Sequence, residues 1–235
     1  MASFVLIPGA GGMAWYWHRV VPLLQRANHE AIAVDLPGDD ERAGLDAYAD
    51  AVVGAIGTRA DVVLVAQSLG GFTAPLVCAR VPVRKLVFVN AMIPLPGETA
   101  GEWWGNTGAV RARADAAGRG GYSVDFDVTT YFLHDVPETV LRGAPRPREE
   151  VGASFDQPCR FHAWPHIPIR VLAGADDRFF PLSFQREVAR ARLDAEVHVM
   201  RGGHLVALSN HDELAARLLA FEQSAPADDV RRGVR

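Results

Sequence analysis

The stretch "VLVAQSLGGF", residues 63–72, carries an apolar run straight to Ser68, with Gly70 and Gly71 just beyond it. A strand that turns at once into a helix strains the backbone of the corner residue, and only small neighbours let the chain pass close by. With Ala66 two residues before Ser68 and Gly70 two after, the pattern is a nucleophile elbow, G-x-S-x-G with Ala in the first place. A hydroxyl at such a corner projects above the carboxyl edge of a sheet, beside a helix start that favours developing negative charge. A serine hydroxyl is a weak nucleophile at neutral pH, so it needs a base and a group to orient that base. "GADDRFFP" (174–181) and "GGHLVALS" (202–209) each follow an apolar run and place Asp176 or Asp177, and then His204, past strand ends. Among eight histidines, His204 alone stands in a glycine-flanked loop after a late strand, and Ser209 with Asp212 predicts the next helix start by capping-box spacing. His162 and His166 are four apart but Pro165 spoils a helical metal pair, while His134, beside Asp135, is expected to pack or face solvent.

Positioning those groups requires a sheet. "SFVLI" (3–7), "AIAVD" (31–35), "VVLVA" (62–66), "KLVFVN" (85–90), "IRVLA" (169–173) and "EVHVM" (196–200) lack strict alternation, as expected of parallel strands covered on both faces. Leu45, Tyr48, Ala49, Val52, Val53 and Ile56 recur at helical spacing, and so do Trp17, Val20, Val21 and Leu24, where Pro22 is expected to bend the helix. This order of elements predicts an α/β fold with right-handed crossovers. The rhythm fails over 94–165, which predicts a cap inserted into a core made of 1–93 and 166–222, with a polar tail over 223–235. The aromatic residues of the cap, Trp103, Trp104, Tyr131, Phe132, Phe155, Phe161 and Trp164, either face a ligand or glue the cap down. Trp103, Trp104 and Phe132, with Met13 and Phe72 from the core, are the expected substrate contacts.

Composition narrows the partners. Twenty-four basic against twenty-eight acidic side chains give a net charge of −4, with no Lys/Arg stripe to track a phosphate backbone. No apolar run approaches the roughly 20 residues of a membrane span, and the N-terminus lacks the pattern of a secretory signal, so a cytoplasmic protein is expected. Cys78 and Cys159 are far apart and have no partners at metal-ligand spacing, which predicts neither a disulfide framework nor a metal; Cys78 is expected in the core. The expected partner is a small-molecule substrate rather than nucleic acid or membrane, with a homodimer left open.

Together, "FVLIPGAGGMAWYWHRVVPLL", "AVDLPG", "LVAQSLGG", "GADDRFFP" and "GGH" resemble the α/β-hydrolase superfamily, and within it the branch of plant methylesterases, hydroxynitrile lyases and small bacterial esterases. The resemblance implies about six mostly parallel strands, the family's first two strands being absent, and a Ser68–His204–Asp177 triad; Asp177 is preferred because it lies three residues after the strand-ending Gly174 and four before Pro181. It also implies backbone oxyanion donors at Leu69 and Ala10, and no cofactor. Pro8-Gly9 stands where the family commonly has His-Gly, and Gly9 and Leu205 stand where the lyases carry Thr and Lys. Ester or lactone hydrolysis is therefore expected over cyanohydrin cleavage or a ligand receptor on the same scaffold.

One rival motif shares the first loop. Gly9, Gly11 and Ala14 fit G-x-G-x-x-G/A after a strand, with Asp35 ending the next, which points to a nicotinamide-dependent oxidoreductase. The indoles of Trp15 and Trp17 crowd the helix start this requires, and a dinucleotide site has no use for the elbow or the Asp177 and His204 loops.

Overall fold

The six runs pair side by side in a computed structural model that describes residues 1–224; the inner ones are covered on both faces, whereas the two edge runs, expected to be covered likewise, leave Glu30 and His198 exposed because an edge has a neighbour on one side only. Strands β1 (Ser3–Ile7), β2 (Glu30–Ala33), β3 (Val62–Gln67), β4 (Lys85–Val89), β5 (Ile169–Gly174) and β6 (Val197–Met200) form one sheet in the order β2-β1-β3-β4-β5-β6. Every neighbouring pair is parallel, with Phe4 opposite Ala31 and Val63, and Leu172 opposite His198. Parallel pairing sends every strand's carboxyl end to one edge, where the loops after β1, β3, β4, β5 and β6 meet. The chain leaves β1 for β2 on one side and returns to β3 on the other, and such a reversal opens a crevice at that edge.

The period of two along each strand divides the core. Val5, Ile7, Leu64 and Ala66 face one layer, and Phe4, Leu6, Val63 and Val65 the other. On the first face lie α2 (Leu45–Ile56), α3 (Gly70–Cys78) and α8 (Leu182–Leu193); on the second lie α1 (Val21–Arg26) and α10 (His211–Gln223). The stripe read from Leu45 to Ile56 coincides with α2. Residues 14–26 do not make one bent helix. A 3-10 turn at Ala14–Trp17 precedes α1, and Pro22 sits in the first turn of α1, where its missing N–H costs nothing. The second strand also starts and stops earlier than "AIAVD", leaving Val34 and Asp35 in the following loop.

Between β4 and β5 the chain has no strand but four helices, α4 (Ala100–Thr107), α5 (Ala109–Gly120), α6 (Glu138–Leu141) and α7 (Ala153–Asp156), and a π-helical turn at Thr129–Leu133. α4 opens on a capping box in which Thr99 Oγ1 accepts the Glu102 N–H at 3.0 Å and Glu102 accepts the Thr99 N–H at 2.9 Å. Gly108, at φ +71°, separates it from α5. Only Ala109 and Ala117 of α5 are buried, so this helix carries no apolar stripe that a periodicity reading could find. Trp164 and Phe161 pack into the core beside Phe88, which makes them glue. The capping box expected from Ser209 and Asp212 does not form: Ser209 ends a separate helix, α9 (Val206–Ser209), and α10 starts after Asn210 with no side-chain cap. The polar tail lies, from residue 225 on, outside the described residues. No helix among those described is long and apolar enough to cross a membrane.

A buried ion pair pins this segment to the sheet layer. Arg192 on α8 meets Glu98 with both side chains under a tenth exposed, and donates to the Ile93 carbonyl at 2.7 Å. Glu98 also accepts from Asn106 at 2.8 Å and from the Leu95 N–H at 3.0 Å. Replacing Arg192 with Met strands a buried carboxylate and is expected to cost about 3–5 kcal/mol in urea unfolding; a loss under about 1 kcal/mol would show that water reaches Glu98.

Candidate active site

Ser68 follows β3 at φ +50°, a left-handed conformation that a residue with a Cβ adopts only under constraint. Its carbonyl accepts from the N–H groups of Gly71 and Met92, each at 3.0 Å, which closes the turn into α3. The glycines are steric requirements. A Cβ on Gly71 would lie 1.9 Å from the Met92 carbonyl oxygen, and one on Gly9 would lie 2.8 Å from Ser68 Cβ.

Over this serine the loop after β6 brings His204, which is 1% exposed. Its Nε2 lies 3.1 Å from Ser68 Oγ and its Nδ1 2.9 Å from Asp177 Oδ2. A carboxylate can only accept here, so the proton of the neutral ring belongs on Nδ1 and the lone pair of Nε2 faces the hydroxyl. Asp177, 4% exposed, is itself held: Oδ1 accepts the N–H groups of Phe179 and Phe180 at 2.8 and 2.9 Å. Gln185 Nε2 reaches its Oδ2 at 3.3 Å. Asp176, by contrast, is exposed and among the described residues accepts only the Gly202 N–H at 3.2 Å, so geometry separates two residues that the sequence alone left as alternatives.

Three supporting groups were not singled out from the sequence for this role. Asn90, wholly buried at the end of β4, donates through Nδ2 to the carbonyls of Gly203 and His204 at 2.9 and 3.0 Å and accepts the Gly174 N–H at 2.8 Å. It thereby ties together the ends of β4, β5 and β6. Its signal was a polar residue closing an otherwise apolar strand. Gln67 donates to the His204 carbonyl at 3.4 Å. Asp135 accepts the Gly203 N–H at 2.5 Å, so the residue read as the neighbour of a packing histidine clamps the His204 loop.

Leu69 and Ala10 stand in the two loops that flank Ser68, and among the described residues neither N–H is engaged by another group of the chain. Aromatic rings wall His204. Phe132, delivered by the π-helical turn, stacks on it with centroids 5.0 Å apart and planes 21° apart, while Phe179 and Phe180 present edges at 5.1 and 5.2 Å. Trp104 backs Phe179 and Phe180 at 5.5 and 5.7 Å. Two other expected contacts fall elsewhere. Trp103 is wholly buried, with its indole N–H on the Ile93 carbonyl at 3.1 Å, and Phe72 is equally buried, so neither offers surface to a ligand. Met13 is 6% exposed and its Sδ accepts the Arg148 N–H.

The dinucleotide reading of the first loop is overturned by what fills it. The Gly11 N–H, where a pyrophosphate would bind, donates to Glu150 Oε2 at 2.6 Å. Asp35, the expected ribose ligand, accepts the Ala14 N–H at 2.9 Å and pairs with Arg148 at 2.6 Å. A carboxylate of the chain itself thus takes the place the motif would reserve for an anion. Burial pushes both thiols, Cys78 and Cys159, up to about 12, so neither is a thiolate at neutral pH. Cys78 is only partly buried but packs against the core. His162 and His166 are exposed, and among the described residues no three His, Cys, Asp or Glu side chains gather as metal ligands.

Known proteins resemble this chain in sequence or in fold. Over 110 residues, 42% of this chain and 42% of the relative, the sequence is 36% identical to "Probable esterase PIR7A" of Oryza sativa subsp. indica. Over 103 residues, 39% of this chain and 40% of the relative, it is 33% identical to the alpha-hydroxynitrile lyase of Arabidopsis thaliana. These alignments span about two fifths of the relatives' length. A pyrethroid hydrolase from Sphingobium faniae JZ-2 superposes with a TM-score of 0.77 at 20% identity, covering 97% of this chain and 99% of that one, and so shares the fold. The family profile described as "Alpha/beta hydrolase family" matches residues 4–217, which takes in all six strands but for Ser3 and all three of Ser68, Asp177 and His204. By that match, and by a parallel sheet whose carboxyl edge collects a serine, a histidine and an aspartate, the chain belongs to the alpha/beta hydrolase family.

Proposed function

We propose that this protein is a serine hydrolase of a carboxylic ester, lactone or thioester of a small, largely apolar molecule. The observation that carries the reading is the unbroken relay from Ser68 Oγ to His204 to Asp177, at 3.1 and 2.9 Å. Ser68 Oγ adds to the ester carbonyl carbon as its proton passes to His204 Nε2, and the carbonyl π pair moves onto oxygen. That oxyanion is held by the N–H groups of Leu69 and Ala10, each such donor being worth about 3–4 kcal/mol. Asp177, fixed by two amides, keeps the imidazole in the right tautomer and stabilises the imidazolium. As the tetrahedral adduct collapses, the bond to the alkoxy oxygen breaks and His204 protonates the leaving alcohol. Water, deprotonated by the same nitrogen, then adds to the acyl-enzyme; its collapse frees the acid and returns the proton to Ser68. No cofactor enters these steps.

The rings of Phe132, Phe179 and Trp104 favour an apolar body on the substrate. Homologues named as esterases agree with ester chemistry, and one named as a lyase raises the alternative of C–C cleavage. Against that alternative, Leu205, just after the histidine, packs with Val136, Val140 and Leu208 and offers no cation to a departing cyanide. Two free cysteines suit the cytoplasm. A fluorophosphonate probe is expected to label Ser68 alone, read by peptide mass, and to abolish release of p-nitrophenol from short-chain esters. Labelling without turnover would favour a receptor, and no labelling would end the reading.

A further inference from the structure

Arg178, beside the candidate orienting acid, lies over the Tyr122 ring and donates to the Thr130 carbonyl at 3.3 Å, whereas Arg148 and Arg192 have carboxylate partners, Asp35 at 2.6 Å and the buried Glu98. Arg113, on α5, has none among the described residues, although it is only partly exposed. The nearest acid along its helix, Asp115, faces Arg111 at 3.8 Å, and Asp127 accepts the Thr130 N–H at 2.8 Å. What Arg113 has instead is aromatic. Its guanidinium carbon lies 5.4 Å from the ring centroids of Tyr131 and Phe179 and 5.7 Å from that of Phe126. Phe179 is the ring whose edge meets His204 at 5.1 Å, so one side chain separates the cation from the reacting centre. Phe126, 47% exposed, also touches Phe132, and the rings form a continuous apolar path from the surface to His204.

A guanidinium bound by ring faces is partly stripped of water while the donors on its rim remain unmatched. That is a poor resting place for a charge and a good receptor for a carboxylate, which it can hold bidentately. We propose that Arg113 is the anion-recognition group of the aromatic wall beside His204 and that the substrate class is an ester with an apolar chain ending in a carboxylate remote from the scissile bond. This rests on the hydrolase reading above and adds to it the chemistry of the substrate's far end.

The matched probes are p-nitrophenyl octanoate and the mono-p-nitrophenyl ester of suberic acid, equal in carbon count and differing in one terminal carboxylate. The wild-type protein is expected to prefer the suberate by about tenfold in kcat/KM, a preference that shrinks with added salt. Arg113→Gln should collapse the ratio toward one, and Arg113→Lys, which keeps charge but loses the planar fork, should restore it in part. The ratio cancels any general loss from imperfect folding. Turnover-independent binding of monomethyl suberate to Ser68→Ala, measured by calorimetry, should weaken by a similar factor in Ser68→Ala/Arg113→Gln. A wild-type ratio near one, a ratio unmoved by Arg113→Gln, or binding indifferent to that change would each overturn the inference. Binding that depends on Arg113 with neither ester hydrolysed would instead sink the hydrolase reading and leave the anion site standing.

Discussion

Ser68→Ala is expected to lower kcat by a factor on the order of 10⁶, with KM changed little. In the proposed reaction the hydroxyl oxygen is the atom that bonds covalently to the substrate, and neither thiol can replace it, both being held protonated by burial. The fold should survive. Alanine keeps the Cβ that already tolerates φ +50°, and the turn is held by the carbonyl of residue 68, not its side chain. The variant should therefore melt within a few degrees of the parent while failing to react with a fluorophosphonate. A variant that retained a tenth of the parent's activity would show that the chemistry lies elsewhere.

Asp177→Asn is expected to cost on the order of 10⁴ in kcat, although it removes only a charge and keeps the shape. In the parent, the carboxylate accepts two backbone N–H groups on one oxygen and the ring N–H on the other. An amide of the same shape must turn its oxygen to one set of donors and its NH₂ to the other. If the oxygen stays with Phe179 and Phe180, the NH₂ faces Nδ1 and forces the proton onto Nε2, which then cannot accept from Ser68. Asp176→Asn, one residue away, loses only part of a surface contact to Gly202 and should stay within a few-fold of the parent. Comparable losses from the two substitutions would refute the assignment of the orienting acid, whatever happened to Ser68.

What the sequence reveals depends on the range of the interaction concerned. Strands β3 and β4 were legible because a strand buried on both faces has little room for polar residues, Gln67 and Lys85 standing only at their ends, and α2 was legible because its apolar stripe repeats every turn. Helix α5, with two small alanines facing inward, left no such trace. Ser68 announced itself through Gly70 and Gly71, since the steric cost of the elbow falls on near neighbours in sequence.

Asn90, Gln67 and Asp135 gave no comparable signal, because what they do is done to the His204 loop, more than sixty residues away in the chain. The sequence by itself determined the six strands, the elbow, and the two loops that carry an aspartate and a histidine, all local consequences of apolar pattern and backbone sterics. Only the tertiary structure decided that Asp177 and not Asp176 meets the imidazole, that Glu150 fills the glycine loop, and that Trp103 is core while Phe132 lies on His204. These outcomes depend on distances between segments far apart in the chain, and such distances are set by the packing of whole layers, which no window of sequence contains.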